Sequence, residues 1–422
     1  MSETDRTPLG QIDMYDEELL ECPFGFFRRL TREAPVLRHE ASGVYQISGY
    51  ELAAKALLDP ETFSNEIGHT LHDRASASEE IRAAQAGAYP TASVLHTTDG
   101  AKHKFSRALV NRAFAPQRVR EMEPRIEEIA DALIDNFAAR GSVEFMGEFA
   151  QSLPLMIIAE QMGVPPADIE RFREWSDAFA TRFSYKADAA AELQAAHAVV
   201  AFQQYFKNVL EEKKLRPTND IISVIAGAIE EGADGENSLT MPQALQLCQQ
   251  ILVAGNESTA ATLCEGMVLF LNRPELIGRI RDDADFRKNA LEELLRVHSA
   301  VNAMWRVTTK KTEMGGVEIP EGALVLIRFG AANRDERTYQ DADAYDPARA
   351  NARRHIAFGF GVHVCIGASL ARRELDICFR KLFSRLEGWR IQDGATLEHT
   401  PSIIMRALKE LPLEFHPSSP RA

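Results

Sequence analysis

Nothing in the 422 residues approaches the roughly 18 consecutive apolar side chains that a membrane-spanning helix needs. Cysteine is scarce, and five scattered residues are too few for a disulfide framework in so long a chain. No Ser/Gly linker, low-complexity tract or internal repeat divides the sequence. Positive charge is in deficit, 48 basic against 62 acidic side chains, for a net charge of −14. Such a surface disfavours nucleic acid and anionic membranes as partners. The first residues, Met1 to Glu18, are polar and acidic, unlike a secretory leader. The expectation is a cytoplasmic protein forming one domain over residues 1–422, with 1–16 mobile and no nucleic-acid or membrane partner.

Strand signals are few as well, whereas helical periodicity is plentiful. Glu123–Phe137, Gln194–Leu210, Thr240–Leu271 and Pro274–Arg281 carry apolar residues at three- and four-residue spacing. Pro124 suits the first turn of the earliest of these. Val44 to Ser48 reads as a short strand. Glu313–Val317 and Leu324–Arg328 flank Ile319-Pro320-Glu321-Gly322, a hairpin-turn sequence. Leu411 to Phe415 reads as an edge strand, because Pro412 lacks an amide hydrogen. The fold class expected is mainly α with small β-sheets.

Cys248, Cys264 and Cys378 lie in apolar helical stretches and read as small buried hydrophobes. Cys365 differs. It sits in Phe358-Gly359-Phe360-Gly361-Val362-His363-Val364-Cys365-Ile366-Gly367 and opens directly into a helix starting at Ala368. Gly359, Gly361 and Gly367 permit backbone angles closed to other residues and let a flat ligand come close. The amide hydrogens and positive end of the helix are expected to point at the sulfur and lower its pKa.

Three weaker patterns accompany it. Glu293-Leu294-Leu295-Arg296 puts acid and base on one helical face; a surface pair of this kind contributes only about 0.2–0.5 kcal/mol. Ile251-Leu252-Val253-Ala254-Gly255-Asn256-Glu257-Ser258-Thr259 interrupts an apolar helix with an acid and two alcohols, and burying Glu257 is costly unless something pairs or uses it. In the segment from Asp99 to Arg107, His103 and Arg107 share a helical face, a donor pair suited to carboxylates.

The cysteine decapeptide, continued by Leu370-Ala371-Arg372, resembles the heme-binding loop of the cytochrome P450 family, and the other patterns follow in that family's order from about Asp99 to Phe415. The resemblance implies a triangular helical body with heme b (iron protoporphyrin IX) held between two long helices. It implies that Cys365 is the axial thiolate of the iron, a ligand that favours O–O cleavage. Phe358, Gly359 and Gly367 complete the loop. Arg349, from Tyr345-Asp346-Pro347-Ala348-Arg349, is expected to join Glu293 and Arg296 in a buried, heme-retaining network. Ala254 and Gly255 would let the long helix widen beside the iron, with Glu257 and Ser258 relaying protons and Thr259 in reserve. Ser258 stands where the family usually has threonine, and Ala300 where many relatives have proline. His103, Arg107, Arg306 and His355 fall at propionate-binding positions.

The same resemblance implies a heme-thiolate monooxygenase that activates dioxygen reductively. It would insert one oxygen atom, by hydroxylation or epoxidation, into an apolar terpenoid, steroid, fatty acid or aromatic compound. Electrons would come from a separate ferredoxin or flavodoxin and an NAD(P)H-dependent reductase. Arg112, Arg118, Arg120, Arg353, Arg354, Arg372 and Arg373 would form the docking face for an acidic donor. Phe179, Phe183, Tyr185, Val301, Met304, Ile403 and Ile404 would line the substrate pocket. Two rivals are a peroxide-driven heme-thiolate oxygenase, against which Glu257 and Ser258 argue, and a heme-binding sensor, for which no output module is visible.

Overall fold

The computed structural model describes residues 7–67, 78–180, 189–232 and 236–418. Its helices in chain order are α1 Glu17–Glu21, α2 Phe24–Glu33, α3 Tyr50–Leu58, α4 Glu79–Ala84, α5 Gly100–Asn111, α6 Pro116–Ala138, α7 Ser152–Gln161 and α8 Ile169–Ala180. They continue with α9 Ala189–Leu215, α10 Ile221–Gly227, α11 Met241–Leu271, α12 Pro274–Asp282, α13 Ala284–His298, α14 Phe329–Ala332 and α15 Ala368–Arg385. Short strands sit at the margins: β1 Val36–Arg38, β2 Tyr45–Ile47, β3 Phe63–Ser64, β4 Ser142–Glu144, β5 Met304–Thr308, β6 Thr312–Met314, β7 Val317–Ile319, β8 Leu324–Ile327, β9 Leu386–Ile391 and β10 Pro412–Pro417. The mainly helical body with small sheets is as expected. Among the described residues no helix is long and apolar enough to cross a membrane.

Helix α11 runs through the largest hydrophobic cluster. Thr240 caps it in a reciprocal box with Gln243: the Thr240 Oγ1 accepts the Gln243 amide, and the Gln243 Oε1 accepts the Thr240 amide at 2.9 Å. Near its far end, a Cβ on Gly266 would lie 2.5 Å from Phe379 of α15 and 2.8 Å from Leu294 of α13. Only glycine allows α11, α13 and α15 to meet this closely. That junction fixes the helix carrying the acid–alcohol pattern against the helix that follows Cys365.

Several local expectations shift. Helix α6 begins at Pro116, not near Pro124, which lies inside it. The interior proline removes one amide donor, but Val119, Met122, Ile126, Ile129, Ile134 and Phe137 are all buried along one face and hold the helix together. The hairpin turns one step earlier than its Pro-Gly signal, at Gly315 and Gly316, both with positive φ, between β6 and β7. Strand β8 instead pairs with β5 and, in parallel, with β2. Strand β10 is central between β4 and β9, not an edge. Pro412 is tolerated there because it stands at the first residue of the strand, where its carbonyl accepts the Gln392 amide at 3.0 Å. Residues 7–16 are not loose: Leu9, Ile12 and Met14 are buried.

The Glu-x-x-Arg pair is buried, not a surface pair. Glu293 Oε2 accepts from Arg296 Nε and its Oε1 from Arg349 Nε, both at 2.8 Å, with no exposure at Glu293 or Arg296. The remaining Arg296 donors reach the carbonyls of Asn333, Ala342 and Ala344. Those of Arg349 reach Gln340, Asp341 and Ala344. The expected three-residue network is therefore formed.

Removing one partner of a buried charge network strands the others. Glu293→Ala should lower the unfolding free energy by about 3–5 kcal/mol, measured as a shift in urea midpoint. A loss below about 1 kcal/mol would mean that the carbonyl groups alone satisfy both guanidinium groups.

Candidate functional site

The loop before α15 is held by its own backbone. The Cys365 amide donates to the Phe358 carbonyl at 2.8 Å and the Gly359 amide to the Ile356 carbonyl at 2.9 Å. Gly359 and Gly361 have φ of 71° and 72°, in the left-handed region that the sequence anticipated. A Cβ on Gly361 would stand 2.6 Å from the Leu57 carbonyl oxygen, so the end of α3 packs directly on this loop. Gly367 departs from expectation: its φ of −83° is open to any residue. An added Cβ there would touch the Cys365 sulfur at 3.9 Å.

Cys365 is exposed, yet its thiol behaves as a desolvated group. Both hold only if the space it faces is itself enclosed by protein. Burial pushes the thiol above its ordinary value, while the amides of Gly367 and Ala368 and the charges of Arg107 and Arg372 pull it down. The helix end acts in the direction expected from sequence, but burial outweighs it without a bound cation.

Helix α11 has one open stretch. Ala254 and Gly255 are exposed between the buried Ile251–Leu252 and Ala260–Ala261, and a Cβ on Gly255 would meet nothing within 4 Å. Exposure in the middle of an otherwise largely buried helix marks an opening beside it. The Ser258 Oγ donates back to the Ala254 carbonyl at 3.1 Å, beside this opening. Thr259, the expected reserve, belongs to another face: it is buried and bonded to Glu374 of α15. Burial pushes the Glu374 carboxyl up to about 8, against the Thr259 bond. Glu257 is pushed up to about 7, first by burial and then by the like charge of Asp177, with Gln151 acting the other way. Its Oε1 is buried without a partner.

Arg107 and Arg372 act on the thiol. Arg306 is buried, and among the described residues its guanidinium donates to the carbonyl of Trp305, 2.7 Å away. Among the described residues neither Arg306 nor Arg107 has a carboxylate at ion-pair distance, and burial lowers both from the usual arginine value. His103 stacks on His363 with ring centroids 3.9 Å apart. Burial, His363 and Arg107 hold His103 down to about 4, so at neutral pH it is an uncharged donor. His355 is already engaged: its Nε2 faces Glu292 at 3.1 Å and its Nδ1 accepts the Ala357 amide. In this arrangement its one N–H is committed to Glu292 and none is left for a propionate, contrary to the sequence expectation.

The donor set fits the heme that the resemblance implies. Two amides are aimed at the thiol, Ala254 and Gly255 open α11, and the guanidinium groups of buried Arg306 and half-buried Arg107 have no carboxylate at ion-pair distance among the described residues. Buried unpaired charge is costly, and a flat ligand with two carboxylates would relieve it.

Sequence reading missed four acids and one histidine. Asp99 accepts from Ser64 Oγ at 2.5 Å, the Asn65 amide at 2.8 Å and His363 Nε2 at 2.8 Å, which ties the cysteine loop to the start of α5. These bonds overcome burial and hold Asp99 down to about 2. Glu292, next to Glu293, holds both His355 and Arg372. Glu374 and Asp177 are the remaining two acids. Asp99 and His363 stand inside motifs already singled out; the other three carry no local signal. Of the expected pocket residues, Phe179 is buried against Phe202 in the core, while Val301, Met304, Ile403 and Ile404 are half-buried. Phe183 and Tyr185 lie outside the described residues.

The family model for Cytochrome P450 matches residues 170–410. Cytochrome P450 107B1 of Saccharopolyspora erythraea is 33% identical over 90% of this chain and 92% of its own. Mycinamicin IV hydroxylase/epoxidase of Micromonospora griseorubida is 36% identical over 76% of this chain and 79% of its own. The solved structure of cytochrome P450 CYP109Q5 from Chondromyces apiculatus superimposes with a TM-score of 0.84 at 30% identity, covering 98% of this chain and all of that one.

The pH response follows from Glu292. Burial works against its ionisation, but His355 and Arg372 hold it down to about 2, below its ordinary 4.5. A carboxyl depressed by folding stabilises fully above its unfolded pKa, and that contribution disappears as pH falls toward the folded value. Melting temperature should therefore drop between about pH 4.5 and 2. Glu292→Gln should lower it at pH 7 and flatten the acid limb; an acid limb as steep as in the wild type would refute this source.

Proposed function

The chain belongs to the cytochrome P450 family, and from that membership we propose how its own residues carry the chemistry of a heme-dependent monooxygenase. It is an oxidoreductase of that class, with heme iron as cofactor. When bound, a thiolate-ligated heme supplies dioxygen activation and transfer of one oxygen atom.

Cys365 is the residue that ligates the iron of heme b, and this assignment carries the rest. Its support is the loop geometry: the Gly367 and Ala368 amides together with Arg107 and Arg372 all favour the anionic sulfur. Arg107 and Arg306 pair with the propionates, and neutral His103 donates one hydrogen bond. Arg–carboxylate pairs are charge-assisted and orient what they hold. His355, braced by Glu292, supports the loop and does not touch a propionate. Ala254 and Gly255 leave room beside the bound group. Ser258, bonded to the Ala254 carbonyl, keeps a hydroxyl at that opening, and Glu257, neutral or ionised near pH 7, holds the proton it can pass on.

The half-buried apolar residues Val301, Met304, Ile403 and Ile404 support an apolar small molecule as substrate, of the terpenoid, steroid, fatty acid or aromatic kind. Hydroxylation or epoxidation is the expected outcome. Electrons come from a separate acidic ferredoxin or flavodoxin served by an NAD(P)H-dependent reductase. The docking face contracts relative to the sequence expectation. Arg118, Arg353, Arg354, Arg372 and Arg373 each face a carboxylate of this chain. Arg112 and Arg120 have no such partner among the described residues and are the cations available to a partner. One domain over residues 1–422, in the cytoplasm, completes the proposal.

Reduced protein exposed to carbon monoxide should show the red-shifted Soret band of a thiolate-bound iron, and Cys365→His should abolish it. A normal band in the Cys365→His variant would end the assignment. Arg112→Glu with Arg120→Glu should slow reduction by an acidic ferredoxin about tenfold or more at low salt and converge on the wild type at high salt. Equal rates at low salt would move the docking face elsewhere.

A further inference from the structure

Helices α8 and α11 are tied by one buried bond, from Asn256 Nδ2 to Ser176 Oγ at 2.8 Å. The next residue on each helix is an acid, Asp177 and Glu257. The bond joins the helices one residue before each acid, and Asp177 acts on Glu257 as a like charge. Their surroundings differ. Asp177 is exposed, whereas Glu257 Oε1 is buried and has no hydrogen-bond partner. Structurally the pairing is a cost, since like charges repel. A cation at 177 would have stabilised the fold better and fixed Glu257 as a carboxylate.

The charged neighbours are few. On α8, Arg173 and Glu170 stand 3.8 Å apart, and Arg173 also donates to Ser152 Oγ of α7. Arg173 lowers the Asp177 carboxyl and Glu170 raises it, and burial, the largest influence, also raises it. Ahead of α7, Gln151 faces Glu257 without charge. Among the described residues no basic side chain acts on Glu257, so nothing holds it permanently ionised.

Resting on the monooxygenase reading, we propose that Asp177 is the port through which buried Glu257 exchanges its proton with solvent, a positioning residue for proton delivery toward Ser258. The Asp177 carboxylic acid releases its proton to the Glu257 carboxylate, directly or across one water. That leaves Asp177 as carboxylate and Glu257 as carboxylic acid. The Asp177 carboxylate then takes a proton from solvent, and no net charge is created. Burial raises the Asp177 carboxyl toward that of Glu257, which lessens the cost of each transfer.

The test is an infrared pH titration of the ferric holoenzyme, which needs no turnover. The carboxylic acid band of Glu257 is the one missing from Glu257→Gln, with a midpoint at about 7. Asp177→Asn, which removes the like charge, should move that midpoint down by about half a unit to one unit and slow hydrogen–deuterium exchange of the band severalfold. Asp177→Glu should restore both. In turnover, the alkaline limb of product formed per electron pair should move to lower pH in Asp177→Asn. An unshifted midpoint with unchanged exchange in Asp177→Asn overturns the proposal, as does the absence of any band lost in Glu257→Gln. Such an unshifted band beside a normal carbon monoxide spectrum overturns the role of Asp177 alone. A shifted band in a protein without the red-shifted Soret overturns the monooxygenase reading and, with it, the purpose assigned to Asp177.

Discussion

Glu293 is enclosed with two guanidinium groups, and their remaining hydrogen-bond directions determine where the chain from 333 to 349 must run. Arg296 draws in the carbonyls of Asn333, Ala342 and Ala344, and Arg349 those of Gln340 and Asp341. That segment, which follows α14, has no helix or strand of its own, so the network substitutes for a ladder or a helix. A buried ion network of this kind adds little net stability over apolar packing, yet losing one partner leaves the others charged and unpaired. The preceding residue, Glu292, faces the other way and grips His355 and Arg372. Two adjacent acids on α13 thus fix the approach to the cysteine loop and the helix that leaves it.

Electrostatic asymmetry distinguishes the two sides of the site. On the thiol side, Arg107 and Arg372 bring positive charge, and Asp99 and Glu292 are held ionised by their partners. On α11, Glu257 sits in surroundings that favour its protonated form. The first environment suits anions that stay; the second suits protons that move.

The cysteine loop, the helical span of α11 and the Glu293–Arg296–Arg349 network were legible in sequence because each is local or written in motif order. Gly359 and Gly361 announced their own backbone angles. The hidden features depended on partners far along the chain. Gly367 looked like its neighbours but needs no special φ. His355 sat at a donor position, yet Glu292, 63 residues earlier, takes its N–H. Thr259 and Ser258 are adjacent alcohols, and only the packing of Glu374 separates their roles. The turn at Gly315-Gly316 was passed over for Pro320-Glu321-Gly322 because both are good turn sequences and strand pairing alone decides between them.

The central position of β10 has a consequence for synthesis. Strand β4 is in register with it at Glu144 and Pro412, and β9 at Ile391 and Leu413. A ribosome emits β4 long before its partner exists, and the intervening loop closes only when the final strand emerges. Until then Phe137 and Trp389, which pack on Phe415, have an unfinished seat. The nascent chain must carry an unzipped seam across most of its translation, so premature termination shortly before β10 would leave a nearly complete helical body with an open, adhesive flank.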